Sequence, residues 1–295
     1  MSTSITYQPQ HFQVGLYQSD QFLTPYNWTN GQDGNVSPVL RAQFQALDGS
    51  AFEGFAKPFS LQNEAEAITT LNEVTGWLLA KSYGLPCAER AFFIPIALNE
   101  MPTFTHGQLP PAESNGYLMC FVTEAISSTA VRGIYDTDAL VREQADWPYA
   151  DHTIAFDEAI ANPDRHAFNL LRKGANDFYL IDHGFLGCDE HRPPVHALPE
   201  SSDLAELDFA NLLHRNSYLA LNRNNPKVTS EGCKNGLQFT HIMQEGFKRS
   251  AFELAFWCSR LLPGQSAKWL NFLYSRSRTH LMSELLHKRF GILPV

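Results

Sequence analysis

At 295 residues, with 44% hydrophobic and 18% charged side chains, the chain has a folded globular composition, long enough for one large domain or two lobes sharing a cleft. A formal net charge of −9 without a long Lys/Arg run argues against direct binding to nucleic acid or to an anionic membrane surface. Five scattered cysteines without C-x-x-C, no long apolar run and an N-terminus without basic and apolar regions argue against a disulfide framework, a membrane span and a secretory signal, so a cytoplasmic location is expected.

The first 28 residues are polar and aromatic without a clear period. "TNGQDGNVSPVLRAQF" then puts Gly31 and Gly34 in a turn ahead of an apolar/polar alternation. "VLRAQFQAL" and "AFEGFAKPF" read as antiparallel strands joined at Asp48-Gly49-Ser50. A helix is expected from an N-cap at Ser60 to Tyr83, with an apolar stripe of Ala67, Ile68, Leu71, Val74 and Leu78 and a stop at Gly84 and Pro86. "RAFFIPIAL" and "GYLMCFVTEAI" are two further strands, separated by a Pro/Gly-rich connection over 102–116. The second half reads as helices at 136–146, 152–161, 203–221, 237–262 and 265–289, with a hairpin between the second and third. The expected class is α+β, a sheet-rich part followed by a mainly helical one.

The stretch "ANPDRHAFNLLRKGANDFYLIDHG" (161–184) concentrates Asp and Asn among strand-like residues. A hairpin with its turn around Lys173–Asp177, closed by residues 172 and 179, sets Asn169 opposite Asp182. An amide oxygen and a carboxylate together suit Mg²⁺ or Mn²⁺ bridging phosphates, not Zn²⁺. Asp164, in the loop before the hairpin, can reach a substrate hydroxyl, the division of labour that phosphoryl transfer needs. Asn-Pro-Asp is also a common turn initiator, and a polar hairpin base needs no function. Lys57 tips the balance: it lies in an apolar strand, where a Lys is costly unless paired, and Glu73 on the next helix is a candidate partner. A strand Lys paired with a helix Glu is part of the protein-kinase signature. The glycine turn upstream can cover phosphates with backbone N–H groups.

These segments resemble the HipA-like kinases. "GNVSPVL" matches their phosphate loop, "AKPF" the lysine strand, "NEVTGWLLAKSYGLP" the helix, "NPDRHAFNLL" the catalytic loop and "YLIDHG" the metal-binding motif. Asp-Arg-His-x-x-Asn also resembles the phosphoinositide kinases. The resemblance is strongest over 29–86 and 158–186. It implies a bilobal protein-kinase-like fold, with an N-lobe over 1–122 and a helical C-lobe over 123–295. It implies Asp164 as catalytic base, with Asn169 and Asp182 as Mg²⁺ ligands, all three counted as catalytic. Lys57 would contact the ATP phosphates and Glu73 would orient it. Gly31, Gly34, Asn35 and Ser37 would form the phosphate loop, with Ser37 a site for autophosphorylation. The backbone at Thr123 and Glu124 would meet adenine. Arg165 and His166 would brace the catalytic loop. His183 replaces the Phe of typical protein kinases, so an aromatic switch there is not assumed.

The implied activity is Mg²⁺-dependent transfer of the ATP γ-phosphoryl group to a Ser or Thr hydroxyl of a protein, with an antitoxin-like regulator as a partner to consider. A lipid or small-molecule kinase and a non-catalytic nucleotide-binding module share most of these signals. His183, Cys188, His191 and His196 offer a looser zinc set, ranked lower because their spacing is not that of paired structural ligands. Hydrolase motifs such as G-x-S-x-G and H-E-x-x-H are absent. The cationic "YSRSRTHLMSELLHKRF" reads as a solvated helix face.

Overall fold

The computed structural model describes residues 13–29, 38–105, 107–127, 137–187, 209–221, 223 and 225–292. Gly31, Gly34, Asn35 and Ser37, and Cys188, His191 and His196 of the looser zinc set, lie outside the described residues. The N-terminal part is a six-stranded sheet built from β1 (Val14–Leu16), β2 (Phe22–Trp28), β3 (Leu40–Gln45), β4 (Ala51–Phe59), β5 (Ala91–Ala97) and β6 (Tyr117–Glu124). Its order is β1-β5-β6-β4-β3-β2, with β1 parallel to β5 and the other pairs antiparallel. One helix, α1 (Glu64–Tyr83), connects β4 to β5.

The C-terminal part is mainly helical. It comprises α2 (Thr137–Ala145), α3 (Ala150–Ile160), a β7/β8 hairpin (Leu170–Gly174, Asp177–Leu180) and a short α4 (Leu212–His214) that runs into a π-helix over Arg215–Ala220. The long α5 (Pro226–Leu261), α6 (Ser266–Arg276) and α7 (Thr279–Phe290) follow. The class is therefore α+β, as expected. No helix among the described residues is long and apolar enough to cross a membrane.

Both faces of the sheet are covered. Leu40, Ala42, Phe44, Ala56, Phe92, Ile94 and Val122 bury one face with Trp28 and Met101, and Phe104 and Leu109 of the Pro/Gly-rich connection pack on it. Trp28 donates from Nε1 to Pro102 O at 2.8 Å, which fastens that connection to the edge strand. On the opposite face Phe59, Phe93 and Phe121 join α1 and the C-terminal helices in one core.

α1 is more than the one-striped helix its pattern suggests. Nearly every residue from Ala67 to Ala80 is buried, polar Asn72, Glu73 and Thr75 included. A helix buried all round is a core element and not a surface one, and α5 covers the side that the sheet leaves open. Trp269 of α6 donates to Thr75 Oγ1 (3.0 Å), Arg249 to Ser82 O (2.9 Å), and the Ser82 and Ser250 hydroxyls are hydrogen-bonded. Glu253 of α5 accepts from the backbone N–H of Gln13 (2.9 Å) and Val14 (2.8 Å), which ties the sheet's first strand to the same helix.

Four expectations about elements need correction. The N-cap of α1 is Asn63, which accepts from Ala65 N–H; Ser60 instead gives its backbone N–H to Glu66. β2 breaks the alternation rule because two irregularities, at Phe22/Thr24 and Pro25/Asn27, shift its register on β3. α5 begins at Pro226 behind an Asn225 cap, eleven residues before the expected start, an Asn-Pro signal for a first helical turn. The single helix expected over 265–289 is two, separated at Ser277–Arg278.

Gly246 of α5 shows how closely α1 is held. A Cβ there would overlap the ring of Tyr83 and approach Ser82 O to 2.9 Å. Gly→Ala in a helix ordinarily stabilises by up to about 1 kcal/mol. Here Gly246→Ala is expected to destabilise by about 1–3 kcal/mol through overpacking, read as a lower urea midpoint. A midpoint unchanged or raised would contradict the close approach.

Candidate active site

The pleat of β4 puts Lys57 on the same face as Phe59, toward α1, and across the ladder from Phe121. Its ammonium donates to Glu73 Oε1 on α1 and to Asp182 Oδ1, 3.0 Å away in the segment after β8. Glu73 is buried and accepts the His183 backbone N–H on its other oxygen at 3.1 Å. Strand β4, the helix that follows it and a segment 125 residues on thus meet at one ammonium.

The charges are set by these neighbours. Burial alone would depress the Lys57 ammonium, but Glu73 and Asp182 outweigh it and hold it protonated. Lys57 pulls the Asp182 carboxyl well below the usual range. Burial raises the Glu73 carboxyl against the pull of Lys57, and the Asp182 charge adds to the rise.

Asp182 adopts a left-handed backbone conformation with φ of 55°. The turn sends the next side chain, His183, under α1, where Gly76 leaves room: a Cβ on Gly76 would overlap the His183 Cβ and ring. The His183 ring meets Phe156 of α3 edge to face, with centroids 6.1 Å apart. Asn72, one turn before Gly76, donates to Gly184 O at 2.9 Å. The segment Asp182–Gly184 is therefore clamped to one face of α1 by Asn72, Glu73 and Gly76.

The loop before the hairpin is built from α3. Its last helical turn ends at Ala161, and Asn162 donates to Asp157 Oδ1 (3.0 Å) while accepting the Asp164 N–H (3.0 Å). This Asx turn presents Asp164 beside Asn169, whose amide nitrogen donates to Asp164 O (2.7 Å) and Asp164 Oδ2 (3.0 Å). Burial raises the Asp164 carboxyl, His166 opposes, and the Asp182 charge raises it further. His166 accepts the Phe168 N–H on Nδ1, which leaves its neutral-ring proton on Nε2, 4.0 Å from Asp164 Oδ1.

Arg165 is fully buried. It donates to Asn169 O (3.0 Å) and Ile181 O (2.7 Å), lies 3.4 Å from Asp157 Oδ1, and approaches His183 Nδ1 to 3.1 Å. Arginine only donates, so His183 Nδ1 accepts and the ring proton is on Nε2. Burial and the guanidinium keep His183 neutral, well below its ordinary pKa.

The hairpin register differs from the expected one. Arg172 pairs with Phe178, not residue 179, and Ala175–Asn176 form a two-residue turn with Asn176 at φ 54°. Asn169 consequently faces Ile181, whose N–H lies 3.4 Å from its carbonyl. Asp182 falls one residue past that position, after the ladder has ended.

Lys57, Glu73 and Asp182 form one bonded group and Asp164 and Asn169 another, and Arg165 joins the two by bonding Asn169 O and Ile181 O. Thr123 shares the Lys57 face of the sheet, opposite Phe55, but Glu124 turns to the other face beside Arg90. The N–H groups of Glu124 and Ala125 donate to Arg90 O and Glu53 O, so the sheet already uses them. Asp157 was not among the expected site residues. Its signal was an acidic residue one turn from Thr153 and Ile160 on the buried face of an apolar helix, a position where a carboxylate needs a partner.

Burial pushes the Asp157 carboxyl up to about 6, against Arg165. The folded state therefore holds this proton more tightly than the unfolded chain does. Asp157 adds stability at pH below about 4 that is lost as pH rises through about 6, at most about 3 kcal/mol. Urea midpoints of wild type and Asp157→Asn are compared from pH 4 to 6.5, and the wild-type midpoint is expected to fall relative to that of the variant as pH rises. A constant difference would exclude an elevated Asp157 pKa.

No family model matches the chain, and no curated protein does. Among solved structures, an apo pseudokinase is similar over 96% of this chain and 100% of that one, at 10% identity and a TM-score of 0.35.

Proposed function

We propose that this protein is an ATP-dependent kinase of the HipA-like type. The observation that carries the reading is the Lys57 ammonium held between Glu73 of a buried helix and Asp182 beyond the hairpin. A strand lysine fixed by a helix glutamate is suited to the α- and β-phosphates of ATP. The N-lobe at 1–122 and C-lobe at 123–295 would close on the nucleotide.

A divalent cation fits the residues present. The Asp182 carboxylate is kept ionised by Lys57, and Asn169 spends its amide N–H groups on Asp164, so its oxygen is the amide atom left to serve a cation. No group of three or more His, Cys, Asp or Glu among the described residues is arranged to hold a metal alone. That is compatible with Mg²⁺, which binds through one or two protein oxygens plus substrate phosphates. When bound, the ion would neutralise the phosphates in the transition state. Asp164, oriented by Asn169 through Oδ2, would take the acceptor hydroxyl proton on Oδ1. The residues over 31–37 would cover the phosphates, and the acceptor would be Ser or Thr of a cytoplasmic protein.

Thermal melting tests the nucleotide site. MgATP at about 100 times its Kd should stabilise wild type by about 2.7 kcal/mol, roughly a few degrees. In Asp182→Asn the magnesium-dependent part of that shift should vanish. No shift in wild type at millimolar MgATP would remove the reading. A second arm separates catalysis from binding: Asp164→Ala should retain the shift while transfer of labelled γ-phosphate to a protein acceptor, or to itself, falls at least about 100-fold. Equal transfer by both proteins would take the base role from Asp164. Binding without transfer in wild type would favour a non-catalytic nucleotide-binding module.

A further inference from the structure

A fully buried guanidinium is an expensive way to stabilise a fold. Desolvation of an ion pair commonly cancels its attraction, and an apolar replacement is often no worse. The Arg165–Asp157 pair is also poorly saturated. Its closest approach is 3.4 Å, and Asp157 Oδ2 and His183 Nε2 are buried without a hydrogen-bond partner among the described residues. The short contacts of this guanidinium go elsewhere. Nη1 donates to two carbonyls, Asn169 O and Ile181 O, at 3.0 and 2.7 Å.

Those carbonyls belong to the two segments that carry the metal candidates. One is the carbonyl of Asn169 itself, and the other immediately precedes Asp182. The ladder alone cannot fix Asp182 against Asn169, because its last pair is Leu170–Leu180, only a 3.4 Å contact from Ile181 N–H to Asn169 O follows, and Asp182 turns into the left-handed region. One nitrogen bonded to both carbonyls can. The opposite edge of the guanidinium, Nε and Nη2, faces Asp157 Oδ1, an oxygen itself pinned by Asn162. Asp157 thereby aims the fork from the rigid helix α3, and His183 Nδ1 holds its second tip.

We propose that Asp157 is a positioning residue that acts through Arg165 to fix Asn169 relative to Asp182 for the divalent cation of a bound nucleotide. The inference rests on the kinase reading. It requires that Asp157 matter for metal-bound nucleotide and not for nucleotide as such, since neither Lys57 nor Glu73 bonds Asp157 or Arg165 directly and Glu73 meets the pair through His183.

The test is calorimetric binding of Mn²⁺·ATP and of ATP in EDTA to the full chain, wild type and Asp157→Asn. Outer residues that orient metal ligands typically contribute 10–100-fold in affinity, so Asp157→Asn should bind Mn²⁺·ATP at least about tenfold more weakly. Its affinity for metal-free ATP should match wild type. A general loosening of the fold would weaken both ligands alike, and that result, or no loss for either, overturns the proposal. Arg165→Lys gives an independent arm: it keeps a buried cation opposite Asp157 but loses the planar fork, and should show the same metal-selective loss. If neither variant folds, the pair is needed for the fold itself and the proposal falls. A wild type that binds neither ligand overturns the kinase reading along with it, a result distinct from any defect confined to the variants.

Discussion

Two carboxylates brought together inside a protein repel each other, and one of them ordinarily gives up its charge. Lys57 settles that conflict in favour of Asp182, which it holds ionised while burial and the Asp182 charge raise the Glu73 carboxyl, and the arrangement of the molecule follows from the need to bring all three together. Asp182 lies 125 residues after Lys57, so the ammonium links the sheet to the segment that follows the hairpin. Glu73 arrives on a helix that cannot easily move. The sheet lies on one side of α1, α5 on the other, and Gly246 and Trp269 hold it at contact distance. The geometry of the charges is thus inherited from the packing of the core.

Behind this outer group lies a second ionic layer, with His183 between them. Its backbone N–H serves Glu73, while its ring serves Arg165, which reaches Asp157 on α3. From β4 to α3 the contacts run Lys57, Glu73, His183, Arg165, Asp157 without a break. A Phe in place of His183 could fill the space beneath Gly76, but it would give Arg165 nothing to bond. With histidine, the segment carrying Asp182 and the loop carrying Asp164 share a polar contact in addition to their packing.

Local chemistry was legible in the sequence wherever it obeyed a single rule. The β3/β4 hairpin follows from alternation about Asp48-Gly49-Ser50, the end of α1 from Gly84, and the Lys57–Glu73 contact from the cost of a charge in an apolar strand. Where two rules competed, the reading failed. β2 was invisible because its bulges exchange inside and outside twice in seven residues, leaving only Phe22 and Trp28 buried at its ends. The hairpin slipped by one position because an irregularity between Arg172 and Gly174 shifts β7 by one residue from the register that the Gly174–Asp177 pair at the turn would set. Asp157 gave no motif, since its importance depends on Arg165, eight residues on, folding back beneath the loop.

That slip changes how the metal candidates must be understood. In the expected register, Asn169 and Asp182 would have been directly opposed and the ladder would have held them. In the observed one Asn169 faces Ile181 just past the ladder's last pair, and the left-handed turn at Asp182 lets its carboxylate reach Lys57. The backbone gives up a regular position and the side chains supply the constraint instead. Lys57 holds the carboxylate from the sheet side and Arg165 holds the carbonyls from the helical side. A cation entering between Asn169 and Asp182 would find oxygens fixed from both parts of the molecule, which makes the closeness of sheet and helices part of the site's definition.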